Sequence, residues 1–167
     1  MKRAADGAVV QYRTAKRPVE KSIITATGIL GASVTAQTVS LTGTGAAGPV
    51  SSAMTYSGGN IQVTYWNNTT AVTLVGFALI ILRQGTTVNA PALTGSSTFY
   101  APEQDVLWSW YAIMPPNNIS PATTQVAVGK IKSMRKLKLG DAIVFVGIGS
   151  AATSVQYSAL ITSFFKE

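Results

Sequence analysis

The sequence offers little with which to do covalent or metal chemistry. It holds no cysteine and no histidine, which removes disulfides, thiolate metal sites, the commonest general base and the commonest metal ligand. Among its six acidic residues only Glu103 and Asp105 stand close together. Two carboxylates at that spacing can share a proton or hold a hard cation. No third acid is near them, however, and Pro102 precedes them, so a solvated turn is the simpler reading. Ser133 beside Lys132 has the composition of a serine–lysine nucleophile, yet neighbours on a strand point to opposite faces and do not meet. Gly147-Ile148-Gly149 is too short for a phosphate loop. The Asn-x-Ser/Thr triplets in Asn67-Asn68-Thr69-Thr70 and Asn118-Ile119-Ser120 read as turns in a chain that opens without an apolar leader. No enzymatic activity, cofactor or metal is expected.

Positive charge is the chemistry the chain does have. Thirteen Lys and Arg against six Asp and Glu give a formal net charge of +7, and most of the cations fall in two groups. Lys2, Arg3, Arg13, Lys16, Arg17 and Lys21 crowd the N-terminus, where Asp6 and Glu20 leave a local excess of +4. Lys130, Lys132, Arg135, Lys136 and Lys138 crowd a second stretch. A solvated terminus and a solvated sheet edge are the plain readings. The sharper one is a grip on a polyanion, because each Lys or Arg that meets a phosphate releases condensed counterions. Like charges side by side on a strand also repel unless anions compensate them. These eleven residues form the candidate nucleic-acid-binding set. Arg13, Lys16 and Arg17 have, in addition, the spacing of a nuclear import signal. Trp66, Trp108 and Trp110 are the residues able to stack on bases or sugar rings, although strand aromatics more often serve a core or an interface.

The elements that must carry these groups are strands. From Gln125 to Ser150, Val126, Val128 and Lys130 alternate with Ala127, Gly129 and Ile131; Leu139-Gly140-Asp141 and the apolar run Ala142 to Ile148 follow. Alternation, a Gly-Asp turn and a Val/Ile/Phe run predict a β-hairpin with a cationic first strand. Ser22 to Thr42 is β-branched and broken by Gly28 and Gly31, which predicts one bent strand or two short ones. Gly43 to Gly59 reads as a connection, Ile61 to Trp66 as a half-buried strand, and Ala71 to Arg83 as a strand buried on both faces. In Val106 to Met114, alternation sets Leu107, Ser109, Tyr111 and Ile113 against Trp108, Trp110 and Ala112. Val155 to Phe165 closes the chain as a final strand. No helical periodicity appears. Seven or eight strands with uneven loops describe a single all-β domain, an antiparallel sandwich or jelly roll, behind a basic arm.

Charge is also missing where a soluble surface needs it. From Ser22 through Leu82 there is no Asp, Glu, Lys or Arg, a depletion that marks interface cores rather than solvated faces. A membrane is the weaker cause, since the most apolar run, Val72 to Leu82, is interrupted by Thr73 and Gly76 and is too short to span one. Contact with other subunits is expected, and membrane insertion is not.

Four blocks of the sequence resemble the capsid proteins of circular Rep-encoding single-stranded DNA viruses, the circovirus-like (CRESS-DNA) group. They are Phe77 to Gly85, Tyr100 to Val106, Gly129 to Leu137 with Gly140 to Phe145, and the closing Phe164-Phe165. The resemblance covers about Lys21 to the C-terminus. It implies an eight-stranded antiparallel jelly roll over residues 22–167, carried behind a flexible basic arm at residues 1–21. It also implies a homo-oligomeric icosahedral shell around a circular single-stranded DNA genome, a virion that meets a host receptor, and assembly in the host nucleus. No catalysis is implied. The arm is shorter and less arginine-rich than is usual in that group, which assigns part of the genome contact to Lys130 through Lys138. A lectin-like sandwich that binds a sugar on Trp66 or Trp108 is the alternative.

Overall fold

The computed structural model describes residues 19–31, 35–38, 48–68, 70–89, 104–117, 124–150 and 155–166. They form strands β1 (Val19–Leu30), β2 (Thr35–Thr38), β3 (Met54–Asn67), β4 (Thr73–Leu82), β5 (Gln104–Met114), β6 (Gln125–Ile131), β7 (Arg135–Leu137), β8 (Ala142–Gly149) and β9 (Val155–Lys166). One sheet has the order β1-β9-β3-β6, with β7 also paired to β3; the other runs β2-β8-β4-β5. Every pairing is antiparallel. The pairings nest: β1 lies on β9, β2 on β8, β3 on β6 and β7, and β4 on β5. This is the jelly roll, and because β6 and β7 share β3 as one interrupted strand, it is built of eight.

The core follows from alternation. Inward residues of the first sheet, among them Tyr56, Tyr65, Tyr157 and Ile161, meet Phe77, Leu79, Ile81 and Phe145 of the second. Phe77 sits at the centre, 5.2 Å from the Tyr65 ring, 5.8 Å from Tyr157 and 5.9 Å from Phe145 between centroids. The second sheet is covered on its other face too. There Ala78, Ile80, Val144, Val146 and Ile148 form a separate buried cluster, with Val88 and Val106 against it. Coverage on both faces is why β4 and β8 read as unbroken apolar runs.

Three expectations need correction. The stretch Gln125 to Ser150 is not a hairpin, because β6 and β7 pair with β3 while β8 pairs with β2 and β4. The turn at Leu139-Gly140-Asp141 carries the chain from one sheet to the other, and local alternation does not reveal a partner that distant in sequence. Gly58 and Gly59 lie inside β3 rather than in a connection. Gly58 has φ 112°, which favours glycine, and it supplies the bulge that shifts the β3 register between Tyr56 and Gly59. In β5, a register shift opposite Leu79 and Ile80 turns Leu107 toward the core with Trp108 and Ala112, whereas Tyr111 and Ile113 stay exposed.

Candidate nucleic-acid interface

The outward face of the first sheet is set by register. Across its four strands the rows are Ile29–Gln156–Trp66, Thr27–Ser158–Thr64–Val126, Thr25–Leu160–Gln62–Val128 and Ile23–Thr162–Asn60–Lys130. Three of these rows carry no charge at all. Their apolar members are open to solvent in the single chain, with Val128 67% and Ile29 58% exposed. Trp66 lies half-buried at one corner.

Toward the other end the character changes. Beyond the Lys130 row, Phe164 lies opposite Lys21. In the next row Lys166 lies opposite Thr55, which in turn faces Lys136. Cross-strand partners stand about 5 Å apart, so Lys21, Lys130, Lys136 and Lys166 gather at one end of one face. Strand β1 begins here, at Val19 opposite Lys166, and the basic N-terminal segment therefore joins the sheet beside the lysines.

Between the Lys130 and Lys136 rows the ladder opens. Pairing stops at Gly59↔Ile131 and resumes at Tyr56↔Arg135, so that Ser57 and Gly58 on one side and Lys132, Ser133 and Met134 on the other are left out of it. The resulting groove is lined by Lys130, Lys132, Ser57, Asn60, Met134 and Phe164, among others, with a volume of about 510 Å³. Ser57 Oγ donates to the Phe164 carbonyl at 3.1 Å and fixes the backbone at its floor. Ser133 and Lys132 thus lie in this break and not on a strand, and no hydrogen bond joins their side chains among the described residues.

Lys138 is set apart from the groove. It lines a second depression with Arg83, Gln84, Lys136 and Leu139. Arg83 is not a free cation there. Its Nη1 donates to Asp141 Oδ2 at 2.6 Å and to the Lys136 carbonyl at 3.3 Å, and its Nη2 donates to Asp105 at 3.1 Å. Asp141 also accepts from the backbone N–H groups of Lys138 at 2.9 Å and Gln84 at 3.2 Å. Burial alone disfavours its charge, but these donors and the Arg83 charge outweigh burial and hold the carboxyl below its ordinary value. The Arg83–Asp141 pair thereby pins the β7–β8 turn that holds Lys138, and Arg83 also ties it to Lys136 at the middle of β7.

Arg83 takes both Asp105 and Asp141. Among the described residues, no carboxylate pairs with Lys21, Lys130, Lys132, Arg135, Lys136, Lys138 or Lys166. Lys130, Lys132, Arg135, Lys136 and Lys138 are all exposed, as is Lys21, while Lys166 is half-buried. Lys2, Arg3, Arg13, Lys16, Arg17 and Glu103 lie outside the described residues. Lys166 was missed at the sequence level because it stands alone at the C-terminus; only the β9 register brings it to the cluster. Among the described residues no group of His, Cys, Asp and Glu has the arrangement of a metal site, and no helix is long and apolar enough to cross a membrane.

The tryptophans divide. Trp108 is half-buried and packs over Gly129 between the two sheets. Trp110 Nε1 donates to Tyr65 Oη at 3.1 Å, and that hydroxyl donates to Gln125 Oε1 at 3.1 Å.

No protein-family model matches the chain, and no curated protein matches it. The chain is similar to a solved chain from desmodium yellow mottle tymovirus, with 9% identity and a TM-score of 0.43 over 90% of this chain and 88% of that one. At that depth the likeness transfers no residue and no activity.

Proposed function

We propose that the chain is a viral coat protein of the CRESS-DNA kind, which assembles with copies of itself into a small icosahedral shell and packages circular single-stranded DNA without reading its sequence. The observation that carries this reading is the division of one sheet face into an uncharged, solvent-open body and a lysine end without carboxylate partners. Apolar side chains such as Ile23, Ile29, Val126, Val128 and Leu160 on one face form a patch of the kind that neighbouring subunits cover. The lysine end, continuous with the N-terminal basic segment, supplies counterion release to a phosphate backbone. Lys2, Arg3, Arg13, Lys16, Arg17 and Lys21 act with Lys130, Lys132, Arg135, Lys136 and Lys138 in this role, and the chemistry is structural rather than catalytic. The protein belongs in the virion, reached by assembly in the host nucleus.

Electron microscopy of the purified protein tests the proposal. Uniform spheres, with an absorbance ratio at 260 to 280 nm raised by nucleic acid, are the expected result. A field without particles contradicts the shell, and particles free of nucleic acid contradict the packaging.

A further inference from the structure

The two aromatic residues that end β9 have opposite fates. Phe165 is buried against Tyr56, with ring centroids 5.8 Å apart. Phe164 points the other way and is only half-buried. The core does not need it. It lies in the row between Lys130 and Lys136–Lys166 and forms one wall of the groove opened by the Gly58 bulge and the β6–β7 break. An apolar ring, the Met134 side chain and two lysines, Lys130 and Lys132, thus share one opening with the polar groups of Ser57 and Asn60. Among the described residues, no acidic side chain lines it.

We infer that this groove holds one nucleotide unit of a single-stranded nucleic acid, with Phe164 stacked on the base and Lys130 and Lys132 meeting the flanking phosphates. The inference rests on the packaging reading above and sharpens it, because a purely electrostatic surface has no use for an aromatic wall. Every base has a π-face, so stacking on an aromatic adds affinity without sequence preference. A duplex hides its base faces in its own stack and leaves only base edges and phosphates open, which makes the single strand the ligand that fits both halves of the groove. The volume, about 510 Å³, is in the range of small-molecule sites.

The test is fluorescence anisotropy on the full-length protein, with a labelled thymidine oligonucleotide, its duplex with an adenosine strand, and inorganic polyphosphate as a competitor without bases. Phe164→Leu keeps the position apolar and removes the stacking face. Affinity for the single strand is expected to fall on the order of tenfold, while polyphosphate competes as before. Lys130→Ala, on an exposed strand position, weakens both polyanions and lowers the salt slope by about 0.7 for each phosphate the side chain no longer neutralises. Unchanged single-strand affinity in Phe164→Leu, or duplex binding as tight as single-strand binding, overturns the stacking groove and leaves the coat-protein reading standing. Wild-type protein that binds neither oligonucleotide nor polyphosphate overturns the groove and the packaging claim together, whereas the shell is judged separately by microscopy.

Discussion

The indole of Trp108, on β5 at the edge of one sheet, rests on the backbone of Gly129, on β6 at the edge of the other, so closely that a Cβ at Gly129 would overlap the ring nitrogen and Cδ1. The contact closes one side of the sandwich. It also fixes the strand that leads into Lys130 and Lys132. Gly129→Val forces the ring out of its seat, and overpacking of this kind costs about 1–3 kcal/mol. Thermal denaturation followed by tryptophan fluorescence should show a lower midpoint and an altered native emission. An unchanged midpoint would show that the two edges are not joined through this residue.

Asp141 gives acid sensitivity to the β7–β8 turn. Its carboxyl is held below the ordinary 3.8 in the fold, so the unfolded chain takes up the proton first as pH falls. The stabilisation is therefore complete above about pH 4 and is lost as pH drops through the folded value. Asp141→Asn removes the charge that the Arg83, Lys138 and Gln84 donors address, at a cost on the order of 2 kcal/mol near neutral pH, because Arg83 is itself well exposed. Denaturant midpoints at several pH values check this: the variant should lose less than the wild type between pH 5 and about 3.

Tyrosine ionisation reports the core. Burial pushes the Tyr56 phenol up to about 12, with Tyr157 also raised. A phenol whose folded pKa exceeds its unfolded value near 10 ionises first in the unfolded chain, so stability is full below about pH 10 and falls as pH rises through the folded value. Phenolate absorbance should show a late, cooperative step that coincides with loss of folded signal. Substituting Tyr56→Phe should diminish that step.

Removal of residues 1–18 separates the basic terminus from the lysine end of the sheet. Because β1 is registered on β9 from Val19 onward, truncation after residue 18 leaves the strand whole, whereas a cut after Lys21 deletes three register pairs with it. The expected outcome is intact particles with a lower 260 to 280 nm absorbance ratio. A ratio that does not change assigns the nucleic-acid contact to Lys21, Lys130, Lys132, Lys136 and Lys166.

Much of the fold was legible in the residues. The alternation from Ile61 to Trp66 in β3 and the unbroken apolar run of β4 announced one half-exposed strand and one strand covered on both faces, and the sequence contains no competing helical period. What was not legible was pairing. Strands β6 and β8 are close in sequence and far apart in topology, because a nested jelly roll joins its third strand to its sixth and carries the eighth to the other sheet. The site shows the same division. Lys130 to Lys138 stand out as a run, but Lys166 and Phe164 reach them only through the registers of β9 on β1 and β3, and the groove exists only because Gly58 and the break after Ile131 coincide across two strands. Alternation shows that Phe164 and Phe165 face opposite ways without showing which one the core takes.

The central claim is that the uncharged body of the β1-β9-β3-β6 face is covered by copies of the same chain. Mass measurement by light scattering at physiological salt and high protein concentration addresses it most directly. The account predicts a single species of many subunits, which Val128→Lys, a charge placed in the middle of that face, converts to smaller forms without unfolding the chain. A wild-type protein that stays folded with the mass of one chain under those conditions would contradict it.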